Sequence, residues 1–146
     1  MATTCLTNNF RKGLLKADYD FDSGVQDMYM ALYDGSGHNQ NTTAYTATNE
    51  SSGTGYSSGG TDMGDFVQAT DTTNHVSYLD NTTDPSWATS TITATDCMIY
   101  RNAGTSPVAN ASIYIGDFGG SKSSSAGTFT VVLPAPAYNT AIIRLA

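Results

Sequence analysis

Two segments in the second half of the chain alternate between apolar and polar side chains in the way that β-strands do. The first runs from 91 to 100 and the second from 111 to 118. Successive side chains of a strand point to opposite faces, so an alternating segment can bury one face while the other stays wetter. Residues 101–110 contain Gly104 and Pro107, which interrupt both patterns and favour a chain reversal. The sequence therefore predicts that these two strands pair at the centre of an antiparallel sheet.

The alternation also assigns side chains to the faces of each strand. A third segment, residues 27–33, alternates in the same way, and both of its faces are partly apolar. Such a strand is typical of a two-layer β structure, or of a strand whose second face lies against a partner. The side chains expected to share a face are Ile92, Ala94, Met98 and Tyr100 in the first strand, Ala111, Ile113 and Ile115 in the second, and Met28, Met30 and Leu32 in the third, which leaves Tyr29, Ala31 and Tyr33 on its opposite face.

Shorter strand patterns are separated by turn-rich connectors. Residues 34–65 are expected to form a long polar loop, with Tyr45 and Tyr56 lying down on the surface, and residues 118–125 a turn. The segments together give about seven or eight strands, at spacings typical of an antiparallel β-sandwich or a jelly roll. The remaining strand patterns lie at 66–70, at 75–79, around Trp87, at 128–133 and at 141–145.

The composition agrees with one all-β domain. Only 13% of the 146 residues are Asp, Glu, Lys or Arg, against roughly 25% in an average globular protein. Thr favours pleated surfaces, whereas Ser, Gly and Asn favour turns.

The formal net charge of -7 argues against a nucleic-acid partner, because phosphate binding needs clustered cations. No apolar run approaches the ~18 residues of a membrane span, and no signal peptide is expected, so we expect folding in a reducing cytoplasm.

The N-terminal segment has a different pattern from the rest of the chain. Between residues 5 and 17 its apolar side chains recur at helical spacing, and Thr7 or Asn8 is a suitable helix cap. We therefore predict an arm or short helix over residues 1–17, followed by a β-sandwich domain over 18–146. Gly13 weakens this helix by ~1 kcal/mol relative to Ala. The arm carries Leu6, Phe10, Leu14 and Leu15, and three of the six cations, Arg11, Lys12 and Lys16.

Two interpretations of the arm remain open at this point. In the first, the helix covers an open edge or end of the sheet of its own chain. In the second, it docks onto an acidic neighbouring subunit.

Familiar catalytic and metal-binding patterns are not matched, so no catalytic residue, metal or cofactor is expected. His38 and His75 lack the spacing of zinc ligands and are expected at the surface or in turns. Cys5 and Cys97 are far apart in the sequence, and nothing supports a disulfide between them. Cys97 is expected to pack as a small apolar side chain.

The acidic segment 18–22 superficially resembles a calcium-binding loop. That loop needs Gly at its sixth position and Glu at its twelfth, where this chain has Ser23 and Tyr29. We therefore expect a solvated connector whose aromatic side chains, Tyr19 and Phe21, face inward.

Blocks of turn and strand residues spread over nearly the whole chain carry a further signal. They are A-L-Y-D at 31–34, T-T-A-Y-T-A-T-N-E-S-S-G-T-G-Y-S-S-G-G at 42–60, A-T-S-T-I-T-A-T-D-C-M-I-Y at 88–100, T-F-T-V-V-L-P-A-P at 128–136 with A-I-I-R-L-A at 141–146, and N-N-F-R-K-G-L-L-K at 8–16. These blocks resemble a family of small virion proteins of tailed bacteriophages. The resemblance implies a structural protein of the phage particle, made in the cytoplasm of the bacterial host, without enzymatic activity.

Within that class, we expect a capsid decoration or cement protein that binds by distributed contacts. Its expected partners are the major capsid protein and further copies of itself, as a trimer, because symmetric oligomers are the default for such proteins. A tail or baseplate component is the first alternative, and a glycan-binding module that uses exposed Tyr and Trp87 is the second. Aromatic side chains anchor interfaces well. The residues expected to contact partners are Phe10, Arg11, Lys12, Leu14, Leu15, Lys16, Tyr29, Tyr33, Tyr45 and Tyr56.

Overall fold

Antiparallel β-strands form most of the regular structure, and one short helix lies near the N-terminus. The computed structural model describes residues 1–22, 26–103 and 107–146. It confirms the predicted all-β, sandwich-like class with a short N-terminal helix. The elements are β1 (Cys5–Leu6), α1 (Asn8–Leu15), β2 (Met28–Tyr33), β3 (Thr61–Asp62), β4 (Phe66–Asp71), β5 (Val76–Asn81), β6 (Ser86–Ser90), β7 (Thr93–Arg101), β8 (Ser112–Ser123), β9 (Gly127–Thr130) and β10 (Ile143–Leu145).

The strands form three sheets. The largest has the order β1-β8-β7-β2-β3, the second has the order β10-β5-β4, and the third consists of β6 and β9. The predicted pair, β7 and β8, is antiparallel and lies at the centre of the largest sheet, which confirms that prediction. The described residues contain ten strands, and the two-residue strands β1 and β3 account for the excess over the predicted count. Within these residues, no helix has the length and apolarity needed to span a membrane.

The β7-β8 pair of the largest sheet is followed along both of its strands by the β6-β9 sheet. Thr93 pairs with Ser123 at the end of the first sheet, and Ser90 pairs with Gly127 and Ser86 with Thr130 in the second. Between the two sheets, the amide of Ser124 donates to the carbonyl of Ile92 at 2.9 Å. The two chain segments therefore stay hydrogen-bonded to each other from one sheet to the next.

The main hydrophobic core collects side chains from all three sheets. Met28, Met30 and Leu32 of β2 lie in this core, as the alternation predicts. On the opposite face of β2, Ala31 and Tyr33 belong to a second, smaller cluster with Met98, Tyr100 and Ile115. Both faces of β2 are therefore covered within the chain. The prediction of a strand with two partly apolar faces is confirmed, and its second face is buried without a partner subunit.

Two of the predicted face assignments are wrong. Ala94 lies in the main core, whereas Met98 and Tyr100 lie in the second cluster. A register shift between Ala94 and Asp96 reverses the alternation, so side chains on either side of it exchange faces. A second shift, at Ile99 and Tyr100, has the same effect on the facing strand. It separates Ile113, which lies in the main core, from Ile115, which lies in the second cluster.

The predicted turn at 118–125 is also wrong, because β8 continues through most of it to Ser123. Gly119 and Gly120 adopt φ values of 68° and 144°, which glycine tolerates and other residues rarely do. Ala94 pairs with Lys122 and Asp96 pairs with Asp117, so β8 has more residues between these two pairs than β7 has. The extra residues of β8 include both glycines, which therefore lie in a bulge within the strand. The predicted strand at 128–133 also ends early, since β9 stops at Thr130.

Candidate partner-binding surface on the N-terminal helix

The helix α1 is fixed to the sheet at its first residue. Thr7, which is fully buried, caps the helix by accepting a hydrogen bond from the amide of Phe10 at 3.2 Å. The same hydroxyl donates to the carbonyl of Ser112 in β8 at 2.8 Å. Just before the cap, β1 pairs with β8 at the edge of the largest sheet. The position of α1 is therefore set by both a strand pair and a capping side chain.

The inward face of α1 is built around Phe10. This side chain is fully buried in the main core and lies edge-on to Tyr19, with ring centroids 4.9 Å apart. Phe21 stacks on Tyr19 at 5.9 Å, so the aromatic side chains of segment 18–22 do face inward. A Cβ atom at Gly13 would lie 2.4 Å from the Tyr19 ring. The glycine that weakens the helix by propensity thus makes room for Tyr19 to pack.

The outward face of α1 is cationic and apolar at once. Arg11, Lys12 and Lys16 are exposed, and none of them forms a salt bridge within the part of the chain that the structure describes. Leu15 is 92% exposed. An exposed leucine among free cations contributes little to the stability of the single chain, so this face is the best candidate for contact with a partner.

Beside this face lies an apolar groove of about 440 Å³ between α1 and the β10-β5-β4 sheet. Leu145, at the end of β10, is 57% exposed at its margin. We call the outward face of α1 together with this groove the helix surface. The apolar lining of the groove includes Leu14, Phe21, Leu79, Ile143 and Leu145, its polar lining includes Gln68, Thr70 and Ser77, and the buried ring of Phe10 lies beneath it.

The predicted partner-contact residues divide into two groups. Arg11, Lys12, Leu15 and Lys16 lie on the helix surface, and Leu14 lines its groove. Phe10 and Tyr33 are fully buried, so neither presents a side chain to a partner in this conformation. The other tyrosines are half-buried: Tyr29 and Tyr45 pack against the second cluster, and Tyr56 packs against the main core.

Glu50 organises the long loop, and no pattern in the sequence indicates this role. Its Oε2 accepts hydrogen bonds from the hydroxyls of Tyr45 and Ser58, each at 2.7 Å. Its Oε1 accepts from the Tyr56 hydroxyl at 2.8 Å and from the amide of Gly59 at 2.6 Å. One carboxylate therefore accepts hydrogen bonds from four donors of the loop, and these bonds fix the positions of Tyr45 and Tyr56.

A second polar cluster lies where the start of the loop meets β7. Asp96, almost fully buried, accepts hydrogen bonds from Ser36 and, at 2.8 Å, from Thr95. The Nδ1 atom of His38 lies 3.5 Å from the same carboxylate. The prediction that His38 lies at the surface is wrong, because its side chain is only 8% exposed and packs edge-on against Tyr33.

This cluster does not have the geometry of a nucleophilic relay. In such a relay the histidine lies between the serine and the carboxylate, and it accepts the serine proton. Here the Ser36 hydroxyl donates to Asp96 itself, so His38 does not activate it. Burial by itself would raise the pKa of Asp96, but the nearby imidazole of His38 and the hydrogen bonds from Ser36 and Thr95 outweigh it and leave the pKa lowered.

Asp96→Asn is expected to destabilise the fold by about 2–3 kcal/mol at neutral pH, because donors would be left without a charged acceptor. Since the pKa of Asp96 is lowered on folding, its contribution is present above the unfolded pKa of about 3.9 and is lost as the pH falls through the folded value. Urea denaturation measures the free energy of unfolding of wild type and variant at pH 7 and at pH 3. The difference between the two proteins should be smaller at pH 3. Asp34→Asn, at an exposed carboxylate of the same loop, is the control and should have little effect at either pH. A difference that stays constant with pH would contradict the prediction.

The described residues contain no group of three or more His, Cys, Asp or Glu side chains placed to hold a metal ion. Cys5 and Cys97 are both free thiols, and they lie on two strands separated by β8. Burial, reinforced by Asp96, raises the pKa of the Cys97 thiol to about 12. This agrees with the expected role of Cys97 as a packed apolar side chain.

Comparison with protein-family models, with curated proteins and with solved structures gave no match. A functional proposal for this chain therefore depends on its own residues and on the sequence blocks described above.

Proposed function

We propose that this chain is a non-enzymatic structural protein of a bacteriophage virion, and specifically a capsid decoration or cement protein that binds the major capsid protein lattice. The observation that carries the proposal is the helix surface. It offers three cations without ion pairs and an almost fully exposed leucine, on a helix that Thr7 and Phe10 hold rigidly in place. A preformed surface of this kind suits adhesion, because little conformational freedom is lost on contact.

The internal bracing of the long loop supports the same proposal. A cement protein has to keep its contact surface in one conformation, and loops of this length are usually the most mobile part of a surface. Here Glu50 accepts hydrogen bonds from Tyr45 and Tyr56 and holds parts of the loop to one another, whereas Asp96 of β7 accepts from Ser36 and ties the start of the loop to the sheet. The sequence blocks that resemble virion proteins of tailed phages include this loop, the central strand pair and the arm.

Trp87, one of the two aromatic features named for the glycan-binding alternative, does not support it. This side chain is buried in the main core and lies edge-on to Phe129, so its ring is not open to a sugar.

Binding to empty capsids tests the proposal. The purified protein should co-sediment with capsids and saturate at many copies per particle, and a cryo-EM reconstruction of the virion should place those copies over the head. A few copies at the tail would instead support the tail or baseplate alternative. Absence of the protein from purified virions would reject both.

A further inference from the structure

The β6-β9 sheet differs from the other two sheets in the charge of its strands. Neither strand contains Asp, Glu, Lys or Arg, and β9 lies within residues 123–143, the longest uncharged run of the chain. Edge strands usually carry charged side chains or are very short, which discourages another strand from pairing with them. Asp62 of β3, Asp71 of β4 and Arg144 of β10 supply such charges at the edges of the other sheets, and β1 has only two residues. The strand β9 therefore lacks the charged side chains that protect an edge.

Of the two outer edges of this sheet, the one on β6 is covered. The amide of Thr91, just after β6, donates to the carbonyl of Thr54 in the long loop at 2.9 Å. A Cβ atom placed on Gly55 would lie 3.1 Å from the carbonyl oxygen of Ala88, so the same loop packs against the backbone of β6. On the other side of the sheet, no strand within the described ranges pairs with β9. We call this second side, the edge of β9 opposite β6, the open edge.

The open edge borders an apolar groove of about 570 Å³. Every residue from 128 to 134 lines this groove, and Val132 among them is 78% exposed. The charged residues that line it, Asp117 and Lys122, both belong to β8 and have opposite signs. A strand laid on the open edge would therefore meet apolar surface and no excess of negative charge.

The pairing with β6 determines which backbone groups of β9 point to the open edge. The amide of Val131 donates to the carbonyl of Pro85 at 2.9 Å, and Phe129 lies opposite Trp87. Because successive backbone groups of a strand point to alternate sides, the residues between and beside Phe129 and Val131 direct their amides and carbonyls toward the open edge. These residues are Thr128, Thr130 and Val132.

The open edge is complementary to a second copy of itself. If Thr130 lies opposite Thr130 of another copy in an antiparallel pair, Thr128 of each copy lies opposite Val132 of the other, and all three residues find backbone partners. The next residue on this side is Pro134, which has no amide to donate, so the ladder ends there. Cross-strand pairs of β-branched side chains stabilise a sheet, and none of these pairs places like charges opposite each other.

We propose that two copies of this chain pair antiparallel through the open edges of β9, about a two-fold axis at Thr130. The contact joins the two β6-β9 sheets into one four-stranded sheet and covers Val132 of both copies. It uses the same surface of each copy, so it produces pairs. The groove beside β9 shares no residue with the helix surface, so the pairing does not depend on the proposed function.

A matched pair of aspartate substitutions tests the proposal. We expect sedimentation velocity to show a reversible dimer of the wild type. Val132→Asp places a charge on the open edge and should raise the dissociation constant of the dimer at least tenfold. Val108→Asp makes the same change at a 37% exposed valine in the connector between β7 and β8, and should leave the constant within a factor of about two. Circular dichroism should show both variants folded.

Cysteine cross-linking tests the register of the pair. Thr130→Cys would place two thiols directly opposite each other, with Cα atoms about 5.5 Å apart, a distance that a disulfide spans. It should give a disulfide-linked dimer on mild oxidation. Thr128→Cys should not, because its counterpart would lie four residues further along the ladder, about 13 Å away. This control carries the same native thiols, Cys5 and Cys97.

A wild type that stays monomeric or forms only trimers would overturn the proposal. Equal effects of the two aspartate variants, or cross-linking at residue 128 and not at 130, would do the same. If a monomeric wild type binds capsids and Val132→Asp abolishes that binding, the open edge takes a strand of the capsid protein instead of a second copy. Capsid co-sedimentation separates this contact from the proposed function: a dimer that does not bind capsids rejects the function and leaves the pairing standing, and a monomer that binds them does the reverse.

Discussion

Phe10→Ala is expected to lower the free energy of unfolding by about 3–5 kcal/mol, the usual cost of removing a large aromatic side chain from a packed core. Phe10 is fully buried and contacts Tyr19 and Phe21, so the substitution removes the ring against which both of these side chains pack. The cavity would open directly beneath α1. Equilibrium urea denaturation, followed by tryptophan fluorescence, measures the change.

Leu15→Ala on the same helix is the matched control. Leu15 is almost fully exposed, so its truncation should change stability by no more than about 0.5 kcal/mol. A small effect of Phe10→Ala, comparable with that of Leu15→Ala, would mean that α1 does not pack on the core in solution. That result would favour an arm that becomes ordered only on a partner.

Gly60→Ala is expected to destabilise the fold by roughly 3–5 kcal/mol, or to prevent folding, because it combines backbone strain with a steric clash. Gly60 has a φ of +81°, and a Cβ atom there would lie 1.8 Å from the carbonyl oxygen of Met30 and 2.7 Å from the Cα of Ala31. Both obstacles are backbone atoms of β2, a strand buried on both faces, so neither can move aside cheaply. Thermal denaturation monitored by circular dichroism is a suitable measurement.

Gly35→Ala separates the clash from the strain. Gly35 has a similar φ of +73°, but no atom lies within 4 Å of a Cβ placed there. Its replacement by Ala should therefore lower the free energy of unfolding by only about 1–2 kcal/mol, the cost of holding a residue with a Cβ atom in a left-handed backbone conformation. Equal effects at the two glycines would show that the end of the long loop does not approach β2 as closely as the structure has it.

The strands were predictable where a single segment carries its own alternation. The positions of β2, β4, β5 and the β7-β8 pair follow from that pattern, since burial of one face imposes a period of two. The face assignments failed in β7 and β8 because a bulge changes which residues share a face, and no local signal announces it. Gly119 and Gly120 are compatible with the predicted turn and equally with the observed bulge, because glycine suits both.

The candidate site was only partly predictable. The helical spacing and cations of residues 5–17 located the helix surface, but the spacing did not show which leucine faces the core. The polar clusters had no local signature at all. Ser36 and Asp96 are 60 positions apart in sequence, and four separate loop donors converge on Glu50. Contacts of that kind are set by the way the chain returns on itself, and a single sequence does not reveal them.

The register of β6 and β9 has a consequence for where the chain can change length. Trp87 lies opposite Phe129, and between this pair and the pair Ser90↔Gly127 β6 contains one residue more than β9. With that register, both aromatic rings lie in the main core. A single residue added to or removed from β6 alone in this interval would reverse the face on which Trp87 lies and turn its ring out to water. Natural length variation in relatives of this chain should therefore avoid this interval, or occur in both strands at once, and collect in the connector between β7 and β8.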